Sequence, residues 1–201
     1  MSEALSPSPR PTLAGWIIRD VLITSGLAAM LLGLAAWHEA EGSLAAALVA
    51  PALGFVAAYV LCYVYHEWGH LIGARLTGAA MPLAPYAGAL IGHFDIQAHS
   101  RRQFLWLSWG GVIAYVALMS IALSVYLHGG LGPAGAGFAV GGLAFVVQSL
   151  SVDVPQIVRV MRGDDIARTS AEGANARVIL RRTWQSWLVL AGALIVWNFA
   201  S

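Results

Sequence analysis

Long apolar runs dominate this 201-residue chain and decide what it can become. A helix needs roughly 20 apolar residues to cross a bilayer, and five segments reach or approach that length: 16–37, 51–76 (starting at Leu44 or at Pro51), 104–127, 135–161 and 184–201. The last is at the short limit. Hydrophobic residues make up 59% of the chain and charged residues only 10%, against about 25% charged in a soluble domain. The pattern predicts an all-α polytopic membrane protein with about five transmembrane helices, embedded in a lipid bilayer. A flexible N-terminus (1–15) would precede a single membrane domain (16–201). Met1 to Arg10 is Ser/Pro-rich, and the apolar run after it is too long for a signal-peptide core, so it is read as a retained span.

Charge sets the expected direction. Every basic residue is arginine, and all eleven fall on one side of the predicted spans: Arg10, Arg19, Arg75, Arg101, Arg102 and the six from Arg159 to Arg182. The positive-inside rule puts that side, and the N-terminus, in the cytoplasm. The net charge of +1 gives no reason to expect a nucleic-acid partner, and the single cysteine, Cys62, excludes an internal disulfide. The lysine-free, alanine- and arginine-rich composition fits a bacterial cytoplasmic membrane. Tryptophans near span ends are expected to act as interface anchors. Between the second and third spans, Ala89-Leu90-Ile91-Gly92-His93-Phe94-Asp95-Ile96 predicts a short β-like segment.

The second span carries His66-Glu67-Trp68-Gly69-His70. Residues four apart share a helix face, so both imidazoles can reach one zinc ion, and Glu67 beside them can accept a proton from activated water. Three ionisable groups within five residues of a span are costly to bury, and such groups usually serve a function. The bland alternative is a pair of interfacial histidines and a snorkelling glutamate. Gly69 would keep the surface beside the metal open.

Two histidines leave tetrahedral zinc short of a protein ligand. Asp153, Asp95, His93, His99, Asp164, Asp165 and Cys62 are the candidates. Depth selects Asp153: the second and fourth spans run in the same direction, and His66 and Asp153 lie about equally far along them at 1.5 Å per residue. The competing reading of Asp153 is a helix cap before a break at Pro155. Cys62 lies a further turn from the histidines and reads as packing, while His93, Asp95 and His99 read as ordinary loop residues.

These residues resemble the site-2 protease family of intramembrane zinc metalloproteases, from about Tyr59 to Arg168. The resemblance rests on HEWGH with its continuation Leu71-Ile72-Gly73-Ala74-Arg75, on Ser100-Arg101-Arg102-Gln103-Phe104-Leu105 leading to Trp109-Gly110-Gly111, and on Asp153-Val154-Pro155-Gln156-Ile157-Val158-Arg159. It implies a minimal, divergent member without inserted PDZ or appended CBS domains. Gly111 stands where the family has proline, Tyr115 lies near its usual asparagine, and the glycines after the aspartate are missing. The implied activity is zinc-dependent peptide hydrolysis in or near transmembrane segments of protein substrates, with His66, His70 and Asp153 on the metal and Glu67 as general base. Gln148 or Ser149 would contact substrate. Ile91 and Phe94 would offer a strand edge to an unwound substrate segment. Two other readings stand beside this one: a zinc protease whose third ligand is Glu172, and a non-proteolytic zinc-binding membrane scaffold or partner-binding relative.

Overall fold

The computed structural model describes residues 11–86, 90–129, 131–173, 175, 177–185 and 187. Five helices are named in chain order: α1 (Leu13–Glu41), α2 (Leu44–Leu76), α3 (Arg101–Leu127), α4 (Gly132–Met161) and the short α5 (Ile166–Gly173). The first four are long and apolar enough to cross a membrane. The expected fifth span, 184–201, lies almost wholly outside the described residues, as does the N-terminal stretch 1–10.

Local signals set the helix ends. Thr12 caps α1 by accepting from the Gly15 N–H, and Gly42 closes it in the left-handed conformation at φ 57°. Ser43 then caps α2 eight residues before Pro51, which lies inside the helix and does not start it. At α3, Ser100 and Gln103 form a reciprocal capping box, satisfying two N–H groups that the helix itself leaves open. α4 runs unbroken through Pro155 to Met161. Asp153 therefore caps no break.

α2 is the central helix, packed mainly on α3 and α4. Apolar attraction between helices is weak in lipid, and close backbone approach takes its place. Small residues supply that approach. A Cβ on Gly69 would strike the Gly110 carbonyl, and one on Gly73 the Trp106 carbonyl. Gly69 thus seats α3 and does not hold open a surface beside the metal, as the sequence had suggested. On the other flank, Cβ atoms on Gly137 and Gly141 would strike the Pro51 and Phe55 carbonyls.

The β-like segment shrinks to a single antiparallel bridge, Leu83–Gly92. Ala84 N–H donates to Ile91 O (3.0 Å) and His93 N–H to Pro82 O (2.9 Å). Prolines at 82 and 85 have no N–H to give, so the ladder cannot extend around Leu83 and Ala84. Ala89, the first residue of the expected segment, lies outside the described residues.

This loop is fastened to α1. Trp16 is fully buried, donates from Nε1 to Ala84 O (3.0 Å) and packs on Tyr86 at 5.9 Å between centroids. It is a packing anchor for the loop and not the exposed interfacial residue its position suggested.

Candidate metal centre

The helical period brings His66 and His70 to one face, and the structure gives that face its detail. Their Nε2 atoms are 2.9 Å apart. His70 Nδ1 lies 2.8 Å from the Leu107 carbonyl. A carbonyl only accepts, so His70 Nδ1 carries the proton and its Nε2 presents a lone pair. Such an outer partner is what fixes the tautomer and ring direction of a metal-binding histidine. The potential ligand atoms of His66, Glu67 and His70 all lie within 4.8 Å of one another, close enough to hold a metal ion. Asp153 is not in that compact group.

Gly111 of α3 backs onto both rings. A Cβ there would come 2.5 Å from His70 Cε1 and 2.9 Å from His66 Nδ1. The glycine standing where the resemblance puts proline is therefore the residue that leaves room for the imidazoles.

Asp153 lies on α4 near Glu67, outside the compact ligand group. The α2–α4 register advances turn by turn, with Pro51 against Gly137, Phe55 against Gly141, and the Tyr59 ring against Phe145 at 5.1 Å. Two further turns along each helix set Glu67 opposite Asp153. The two carboxyl groups interact electrostatically, and Tyr115 interacts with Asp153 in the same way. Tyr115 is fully buried, and its ring lies 5.5 Å from that of His66.

Two buried side-chain oxygens here have no hydrogen-bond partner among the described residues: Asp153 Oδ2 and Tyr115 Oη. Buried polar atoms are nearly always paired, so a cluster of orphans points to a missing partner such as an ion or water. The compact donor set is two imidazoles and the Glu67 carboxylate, a set that could hold a metal ion. The nitrogens stand close to the separation of about 3.3 Å expected for two ligands at about 2.0–2.1 Å from one tetrahedral ion.

Comparisons with protein-family models, curated proteins and solved structures return no match.

Glu67 is buried, and its Oε2 accepts the Ile91 N–H at 3.2 Å. The Ile91 side chain is buried in a cluster with Trp16 and Leu71, so this residue meets the site through its backbone. Phe94 is half-buried and stacks on His99 at 4.4 Å. His99 in turn closes the loop, with Nδ1 2.6 Å from Asp95 O and Nε2 accepting the Ala80 N–H at 2.9 Å. Asp95 accepts from Gln97 N–H, and His93 is exposed.

Gln148 receives the Tyr59 hydroxyl and donates to Thr183 Oγ1 at 3.2 Å, which occupies its amide in helix packing. Ser149 is half-buried beside it. Cys62 is buried against Tyr115, Phe145 and Ile157. Asp164 pairs with Arg159, and Asp165 accepts the Arg168 N–H. Glu172 is held by Arg159 (2.6 Å) and Arg168 (2.9 Å), whose hydrogen bonds, Arg159's foremost, keep its carboxyl below the usual range.

Sequence reasoning missed Asp20. This buried carboxylate of α1 pairs with Arg19 at 2.7 Å and accepts from Trp68 Nε1 at 2.7 Å, inside the HEWGH motif. Arg19 lies over the Trp16 ring at 3.7 Å and donates to Tyr86 O at 3.2 Å. The signal was an acid inside an apolar run, where a charge needs a partner.

Proposed function

We propose that this chain is an intramembrane zinc metalloprotease of the site-2 protease kind, hydrolysing peptide bonds in or near transmembrane segments of membrane proteins. The observation that carries the reading is the convergence of His66 and His70 Nε2 beside a buried Glu67, with orphaned Asp153 and Tyr115 oxygens facing them across the α2–α4 and α2–α3 packing. Metal-binding scaffolds need ligands, but they do not need an acid poised for proton transfer.

In this reading His66, His70 and Asp153 hold the metal. When bound, zinc supplies Lewis acidity toward the scissile carbonyl and lowers the pKa of water toward neutrality. Glu67 accepts a proton as the water oxygen bonds to the scissile carbon, and returns it to the amine as the C–N bond breaks. The Ile91 N–H on Oε2 aims the carboxylate, and the second oxygen is available for the proton. Tyr115 Oη, buried and without a partner, would donate to the developing oxyanion. A substrate helix hides its carbonyls in its own hydrogen bonds and must unwind first. The 90–97 loop edge would receive the unwound segment. The arginine-rich side faces the cytoplasm.

One observation favours a second reading. Glu67 already anchors the loop through Ile91, which a non-proteolytic zinc scaffold would also use. The Glu172-ligand class loses support, because both Glu172 oxygens are engaged by arginines.

Glu67→Gln separates the two readings. Glutamine keeps a carbonyl oxygen for the Ile91 N–H but cannot take up a proton. Wild type and variant would be co-expressed with single-span reporter proteins tagged at both ends, and fragments read by immunoblot. The protease reading expects cleavage by wild type alone; equal product from both excludes it.

A further inference from the structure

Two arginines on the arginine-rich side of the bundle, Arg75 and Arg102, are exposed and have no hydrogen-bond or ion-pair partner among the described residues. Arg101 donates to Gly163 O at 3.0 Å, and Arg159 and Arg168 are paired with acids, while Arg162, Arg177 and Arg181 are likewise exposed and without a side-chain partner among the described residues. Arg75 and Arg102 line hollows that meet at Leu76. One of these holds Arg102, Ser100, Thr77 and Gln103, and the other Arg75, Trp68 and Ile72.

From Leu76 a third hollow continues along the outside of α2 and α3, about 550 Å³ in volume and almost wholly apolar. Ile72, Trp106, Trp109 and Ile113 form its walls. Arg102, Trp106, Trp109 and Ile113 follow one another at spacings of four, three and four, so they form one stripe along α3. Its order is a cation at the helix end, two indoles, then aliphatic surface. The groove floor is the glycine contact of Gly69, Gly73 and Gly110, where backbone replaces side chains.

We infer that this face is a binding site for one anionic phospholipid of the arginine-side leaflet, with the phosphate between Arg75 and Arg102 and an acyl chain along the Trp106–Trp109 groove. Charge complementarity selects the occupant. A zwitterionic lipid would bring a quaternary ammonium to two unpaired guanidiniums, whereas an anionic headgroup brings only negative charge. Basic pockets between spans on the cytoplasmic side recognise such headgroups. Because the site grips α2 and α3 where they carry His70 and Gly110, the lipid would brace the contact that positions the imidazoles.

The test uses the full chain in nanodiscs of phosphatidylcholine doped with brominated phosphatidylglycerol or, separately, brominated phosphatidylcholine at the same low mole fraction. Tryptophan quenching is compared between wild type and Trp106→Phe to isolate the groove. The expected result is stronger quenching of Trp106 by the glycerol lipid, reduced about fivefold in apparent affinity by Arg102→Gln or Arg75→Gln. Inorganic phosphate added in excess leaves the quenching unchanged if the chain and headgroup bind together. Equal quenching by both lipids overturns the inference. So does a preference that survives loss of both arginines, or displacement by free phosphate. None of these readouts depends on zinc or on proteolysis.

Discussion

A methyl group at position 111 would press on both imidazoles at once, 2.5 Å from His70 Cε1 and 2.9 Å from His66 Nδ1. Gly111→Ala should raise the helix propensity of α3 yet weaken metal binding by about 10–100-fold, the range seen when the support of a ligand is disturbed. Competition with a chromophoric chelator measures this. Tyr115→Phe removes one oxygen and little volume. Metal content should stay as in wild type, while reporter cleavage falls by about 100-fold, as when one oxyanion donor is lost. A variant that loses metal as well would give Tyr115 a structural role instead. Asp20→Ala strips Trp68 Nε1 and Arg19 of their shared acceptor, a hydrogen bond to a charged group of about 1.5–3 kcal/mol. Arg19 is partly exposed, so the lower half of that range is expected, read as a shift in denaturant unfolding in micelles.

At the scale of elements, Gly137 and Gly141 hold α4 against Pro51 and Phe55, and through that contact set the height of Asp153. Gly141→Val should cost about 1–3 kcal/mol by overpacking and release metal as well, although it lies three turns from the site. Gly33→Ala meets nothing within 4 Å and serves as the control. α5 is joined to the end of α4 by the Arg159, Asp164, Arg168 and Glu172 cluster. The Glu172 carboxyl is depressed in the folded state, so its contribution is present above the unfolded-state value of about 4.3. It is lost as pH falls through the lower folded value. Hydrogen exchange of 166–173 should therefore speed up, beyond the intrinsic pH effect, in strong acid and in Glu172→Gln. Exchange that ignores both changes would show that α5 is held by other contacts.

Across the whole molecule, what the sequence made legible was local. HEWGH needs only the helical period to put His66, Glu67 and His70 together, and four of the spans announce themselves by length and apolarity. What stayed hidden depends on contacts between distant segments. The Asp20–Trp68 bond joins residues 48 apart, and neither looks special in its own helix. The backbone of Ile91 reaches Glu67, yet a backbone N–H carries no residue signature. Depth along parallel spans singled out Asp153, but the register that sets it against Glu67 is written in glycines, which in a sequence read simply as small residues in an apolar run. Alternation suggested a strand at 89–96, and the prolines opposite it at 82 and 85 left only one bridge.

Metal analysis of the purified full chain tests the core of this reading most directly. Zinc per chain would be measured by mass spectrometry of acid-digested protein, in wild type and with His66, His70 and Asp153 each replaced by alanine. About one zinc per wild-type chain is expected, falling to background in all three variants. Wild type without zinc, or full zinc retained by Asp153→Ala, would contradict a metal shared between the α2 histidines and the α4 carboxylate.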